Sequence, residues 1–188
     1  MALLKILEWP AVVLESRSSE VIEFDEEFKN LVQDMHETMK ESGGIGLAAN
    51  QIGAEKRVLT ICIPWSENKY SDQEDKKEHW HDVRWTFVNP VYVKKSGKIR
   101  WQEGCLSFPE IFEFVDRSAE VWIKAQNEAG EFFEVHANGL FAVCLQHEID
   151  HIDGVVFITR MSRLKCSLVK KRVAKRHRLK AEGADIDE

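Results

Sequence analysis

The run Gln146-His-Glu-Ile-Asp-His151 sets His147 and His151 four residues apart, with Glu148 just after the first of them. On an α-helix that spacing puts both imidazoles on one face, where they can grip a single metal ion. Glu148 then stands within reach of a water held by the ion without being a ligand itself. The chemistry of such a set is metal-assisted hydrolysis, in which the ion activates water and the carboxylate moves the proton. The same pattern also fits a solvated polar helix face, so the choice between the two turns on a third ligand.

A catalytic site of this kind takes three protein ligands and keeps one position open. A metzincin-like third histidine is excluded because Phe157 stands where it would fall. A thermolysin-like downstream glutamate is excluded because no acidic residue follows Asp153 until Glu182. The third ligand must therefore lie upstream, and the candidate is Cys105 in Glu103-Gly-Cys-Leu-Ser-Phe-Pro109. A thiolate suits a borderline metal, and the metal itself lowers the thiol pKa enough to bind it deprotonated. The alternative is a small buried residue, which is the reading for Cys62, Cys144 and Cys166. Cys105 differs from these in its glycine-flanked, polar setting. A third stretch, Gly43-Gly-Ile-Gly-Leu-Ala-Ala-Asn-Gln-Ile-Gly53, reads as a loop whose backbone must come close to something. It is not a dinucleotide fingerprint, since no strand precedes it and the spacing is wrong. Gln51 at its end offers an amide donor that could stabilise an oxyanion.

These residues need elements to hold them. Phe28, Leu31, Val32, Met35 and Met39 recur at helical spacing across 25–42, with Asp25 as a cap and His36 expected at the surface beside the stripe. Strands are expected over 57–63, 85–93, 120–125 and 131–135, separated by Asn89-Pro90 and the turn at 127–130. Residues 140–153 read as a largely apolar helix that places Leu140, Val143, Cys144 and His147 on one face. A buried helix carrying ligands, wrapped by antiparallel strands, is an α+β fold. The polar segment 65–85 is an insertion between strands. Its His79 and His81 read as solvated, while Trp80 and Trp85 are expected to anchor it or line a groove edge.

The chain has 188 residues, 44% of them hydrophobic, which fits one domain with a real core. Four cysteines without framework spacing suit a reducing compartment. The N-terminus lacks the basic start and apolar run of a signal peptide, no stretch approaches the ~20 apolar residues of a membrane span, and a cytoplasmic protein is expected, with an organellar enzyme that has lost a transit peptide as the alternative. From Arg160 to Lys180 there are ten Lys or Arg and no acid, against a net charge of −6 for the whole chain. Leu164, Leu168, Val169, Val173 and Ala174 give the helix expected over 161–180 an apolar stripe. Its basic face is either solvated or turned to RNA. Residues 181–188 read as a flexible acidic tail.

Taken together, Gly44-Ile-Gly-Leu-Ala-Ala-Asn-Gln51, Glu103-Gly-Cys-Leu-Ser107 and Gln146-His-Glu-Ile-Asp-His151 resemble the three motifs of the peptide deformylase family, which removes the formyl group from the initiator methionine of new bacterial chains. Every fixed position matches, in order, and the resemblance spans roughly residues 3–165 of a catalytic domain expected over 1–165. It implies that Cys105, His147 and His151 are the metal ligands and that Glu148 is general base and then general acid. It implies that the Gln51 side chain and the Leu106 N–H hold the oxyanion, with Ile45, Gly46 and Gly104 at the substrate. It further implies one divalent ion, Fe²⁺ in the cell with Zn²⁺, Ni²⁺ or Co²⁺ as substitutes, where Cys/His₂ ligation alone would suggest zinc. A Glu103–Arg117 pair is implied too, though Arg117 also reads as a solvated charge. So are a methionine pocket near Ile45 and the His147 helix, an antiparallel fold around that helix, and a ribosome partner for the C-terminal helix. Phe112 and Phe114 are either further pocket walls or core. The rivals are a general metalloprotease, which lacks its downstream ligand, and a metal-stabilised RNA-binding module, which leaves Glu148 and Gln51 without a purpose.

Overall fold

A computed structural model describes residues 2–63 and 83–181. The 65–85 insertion therefore falls mostly outside the described residues, with His79, Trp80 and His81, and so do positions 182–188 of the expected tail. The elements in chain order are α1 (Glu26–Glu41), β1 (Gly46–Ala48), β2 (Val58–Ile61), β3 (Trp85–Ser96), β4 (Ile99–Cys105), β5 (Phe108–Arg117), β6 (Glu120–Gln126), β7 (Phe132–Asn138), α2 (Gly139–Ile152) and α3 (Arg163–Ala181). An antiparallel sheet runs β1-β2-β3-β6-β7, and β4 and β5 form a separate hairpin. The expected α+β class is what the chain adopts.

Helix α1 begins where Asp25 accepts the Phe28 N–H at 2.8 Å, an N-cap with Glu26 and Glu27 in the first turn. Its buried face carries Phe28, Val32, Met35 and Met39 as the spacing predicts, and also His36. The expectation of a surface His36 is thus overturned. Position 36 lies on the same stripe, and its Nε2 finds Thr86 Oγ1 at 3.1 Å on β3. Burial, followed by the Arg84 charge, pushes its pKa down to about 4.

Helix α2 lies against the sheet. Its Phe141, Ala142, Cys144, Leu145, Ile149 and Ile152 join Leu59, Ile61, Phe87, Val121 and Ile123 in one core. Trp85 packs there on Phe87 and Phe141 rather than beside a groove. The hairpin belongs to a second core with Leu14, Phe157 and Ile158, which Val169 and Val173 of α3 complete. Only those two members of the expected α3 stripe are buried, while Leu164 and Leu168 are 72% and 57% exposed. The hairpin itself was not expected. Gly104, Pro109 and a positive φ of 63° at Glu110 interrupt the alternation that would announce it.

Candidate metal centre

The hairpin and α2 bring the three candidate ligands together. Cys105 ends β4, His147 and His151 lie one turn apart on α2, and their ligand atoms all lie within 4.8 Å of one another. The Cys105 Sγ stands 3.2 Å from His151 Nε2. One soft sulfur, half-buried, and two buried imidazoles converge, and that donor set fits a borderline divalent cation. Two buried polar atoms without a protein partner also lie here, Glu148 Oε2 and His151 Nδ1.

The His147 ring is held from behind. His147 Nδ1 pairs with Glu103 Oε2 at 2.7 Å, which leaves its Nε2 for an ion. Glu103 takes a two-point contact from Arg117, with Nε at 2.7 Å and Nη2 at 2.9 Å. Arg117 is therefore a buried partner and not a solvated charge. Arg117 Nη1 also donates to Asp150, whose carboxylate receives Arg160 through Nη2 at 2.5 Å and Nε at 3.0 Å. Asn50 Nδ2 donates to the His151 carbonyl at 2.5 Å and fixes that end of α2. The sequence reading gave Asp150, Arg160 and Asn50 no role, although Asp150 stands inside the motif itself.

The charges follow from these contacts. Burial would raise the Glu103 carboxyl, but Arg117 and His147 outweigh it and hold it down at about 2. Burial likewise opposes protonation of His147, yet Cys105 and Glu103 push its pKa well up. His151 is pushed well down by burial and by the His147 charge. Glu148 is lifted to about 7, first by burial and then by the Glu103 charge. A carboxyl at that value can take and return a proton near neutral pH.

Gln51 lies in the short 3₁₀ turn Ala49–Ile52, just after β1. Its Oε1 accepts the Ala48 N–H at 2.8 Å, and this aims its Nε2 at Cys105 Sγ (3.6 Å) and Ser107 Oγ (3.2 Å). Ser107 is thus a further member of the site that the sequence reading passed over. Leu106 follows Cys105 in the turn and lines the same cavity of about 480 Å³ with Ile45, Gly46, Gln51 and Glu148. A Cβ on Gly46 would lie 2.5 Å from Glu148 Oε1 and 2.8 Å from Cys144 Sγ, so the carboxylate reaches the site across bare backbone. At Gly104 a Cβ would meet the Phe112 ring at 2.7 Å. Phe112 is a cavity wall, 65% exposed, and Phe114 is 50% exposed; neither is core. Trp101, Leu140, Val143 and Cys144 complete the apolar wall, which gives Cys144 a place beyond mere burial.

The family model described as Polypeptide deformylase matches residues 3–167. A curated relative named peptide deformylase, from Neisseria gonorrhoeae, is 42% identical over 178 residues, covering 95% of this chain and 98% of its own. Among solved structures, the peptide deformylase of Ehrlichia chaffeensis superposes with a TM-score of 0.86 at 33% identity, covering 96% of this chain and 99% of that one. The one from Legionella pneumophila gives 0.81 at 36% identity, with coverage of 96% and 98%.

Proposed function

The chain belongs to the polypeptide deformylase family, and on that premise we propose the residues by which it works. It is a metal-dependent hydrolase that removes the N-formyl group from the initiator methionine of newly synthesised polypeptides and releases formate. One observation supports the roles proposed here: Cys105, His147 and His151 converge on α2 and β4 beside the buried Glu148, where Cys105, His147 and Glu148 open into an apolar-walled cavity.

Cys105, His147 and His151 hold the divalent ion, Fe²⁺ in the cell, with Zn²⁺, Ni²⁺ or Co²⁺ as substitutes. When bound, the ion supplies Lewis-acid polarisation of the formyl oxygen and acidifies water. Glu148 takes a proton from the attacking water and delivers it to the departing α-amine. The Gln51 amide, held by Ala48, and the Leu106 N–H donate to the oxygen as it gains charge; one such donor is worth on the order of 10²–10³ in rate. Ile45, Gly46 and Gly104 border the peptide, and the methionine side chain enters the wall made by Leu140, Val143 and Cys144. Glu103, His147 and Glu148 face a cavity lined mainly by apolar groups, which strengthens each of these interactions over its value in water.

The remaining expectations are part of the same proposal. Residues 1–165 form the catalytic domain and α3 is a basic element docked on it, which reaches Ala181, one residue into the segment expected as a tail. Among the described residues no helix is long and apolar enough to cross a membrane. The bacterial relatives support the cytoplasm as the compartment. The basic run of α3 supports the ribosome as a partner, although Lys165, Lys170 and Arg176 are already paired with Glu113, Glu15 and Glu110. Ribosome co-sedimentation that weakens with salt and with charge reversal at Lys171, Arg172 and Lys175 tests that partner. The principal test is formate release from a formyl-methionyl tripeptide by anaerobically purified protein loaded with Fe²⁺ or Ni²⁺. Release that stops on chelation supports the assignment. No release by protein with its metal demonstrably bound overturns it.

A further inference from the structure

We infer that Arg160 is a positioning residue for the metal centre, acting on the His147 ring through Asp150, Arg117 and Glu103. The inference rests on the proposed ligand set. Four contacts connect the two ends without a gap: Arg160 Nη2 to Asp150 Oδ1 at 2.5 Å, Asp150 Oδ2 to Arg117 Nη1, Arg117 Nε to Glu103 Oε1 at 2.7 Å, and Glu103 Oε2 to His147 Nδ1 at 2.7 Å. Arg160 closes the turn Phe157–Arg160, just before α3 starts at Arg163. The ligand is thereby tied to the root of the C-terminal helix.

An ion pair whose cation is half-exposed is ordinarily worth little. Two features set Arg160 apart. Its partner is a buried carboxylate, 7% exposed at the side chain, and the contact is two-pronged. Charge is also balanced along the line, since Glu103 and Asp150 face Arg117 and Arg160. Without Arg160, two buried carboxylates share one guanidinium, and a buried unpaired charge is strongly unfavourable. Arg117 is the group that must respond, because among the described residues it alone touches both carboxylates. Any drift of Arg117 toward Asp150 loosens its fork on Glu103 and, with it, the orientation of His147. Partners that orient a ligand in this way are typically worth 10–100-fold in metal affinity.

The test uses the full chain loaded with Ni²⁺ or Co²⁺ and measures the rate of metal loss to a chelator. It adds the visible absorption of the Co²⁺ form and the Tm of the metal-free protein. Arg160→Met is expected to speed metal loss by about tenfold or more and to shift the Co²⁺ bands. Arg160→Lys is expected to restore part of both. Lys165→Met, which removes another half-exposed cation from the same region, is expected to change neither. Metal loss from Arg160→Met at the wild-type rate would overturn the inference. So would a faster loss that Arg160→Lys does not ease and that a matching fall in metal-free Tm accounts for. If the wild type itself holds no metal, or Cys105→Ser holds it equally well, the ligand set fails, and that result is distinct from the failure of Arg160 alone.

Discussion

Helices α2 and α3 are both continuous and both close a core, yet they are built on opposite terms. Every residue of α2 from Phe141 to Ile152 is buried, including Gln146, His147, Glu148, Asp150 and His151. In α3, among the side chains described, only Val169 and Val173 are buried, and its cations pair with acids on the surface. A polar group taken out of water is tolerated only when a partner meets it. On α2 most such groups are met: Gln146 by the Ser118 backbone, His147 by Glu103, Asp150 by Arg117 and Arg160. The atoms left over, Glu148 Oε2 and His151 Nδ1, belong to residues of the reacting site. The lesson is that function on α2 lies in the few groups left unmatched by a matched surround, whereas α3 offers only charge.

That contrast can be broken at several points. Glu148→Ala should retain fold and metal while turnover falls by on the order of 10²–10⁴, read as formate release beside metal content. Near-native turnover would remove Glu148 from the mechanism. Gly46→Ala places a methyl group where Glu148 Oε1 now lies. A displacement of that size costs on the order of 10²-fold in rate, with KM moving less than kcat. Glu103→Gln weakens the hold on His147 and should lower metal affinity by about 10–100-fold, measured by chelator competition. Unchanged affinity would mean that the ring is oriented by other groups.

Helix α1 gives an intermediate case, one buried histidine with one partner. Because the His36 pKa falls from 6.5 to about 4 on folding, the unfolded chain takes up that proton first as the pH drops. Stability is then lost between about pH 6.5 and 4, by up to roughly 3 kcal/mol. Chemical denaturation across that range should show a shallower acid slope for His36→Gln. On α3 the effects are smallest. Val173→Ala should cost about 1–2 kcal/mol, while Leu168→Ser should stay within about 0.5 kcal/mol. Equal losses from the two would mean that α3 docks by a face other than the one described.

The helix that carries His147, Glu148 and His151 on one buried run was legible because helical spacing turns a short motif into geometry. Residues Asp25 to Met39 were legible for the same reason, with His36 the exception. Its place on the buried stripe is visible in the spacing, but Thr86, the partner that makes burial tolerable, is distant in sequence. Strand β1 escaped notice because three buried residues containing a glycine carry no alternation. The β4–β5 hairpin escaped because its interruptions, Gly104, Pro109 and Glu110, are what bring Cys105 up to α2. The line from Arg160 to His147 is invisible to any pattern of spacing, since each of its links joins a different element.

The bare backbone at Gly46 has a consequence for selection. Under pressure from an inhibitor seated in the cavity, Val143 and Phe112 can change because each lines the space with a side chain. Position 46 has no such freedom. Any side chain there collides with the Glu148 carboxylate, and shortening Glu148 to make space withdraws the group proposed to carry the proton. A compound whose affinity derives mainly from contact with the Gly46 backbone and Glu148 would press on the part of the pocket where escape and activity exclude each other.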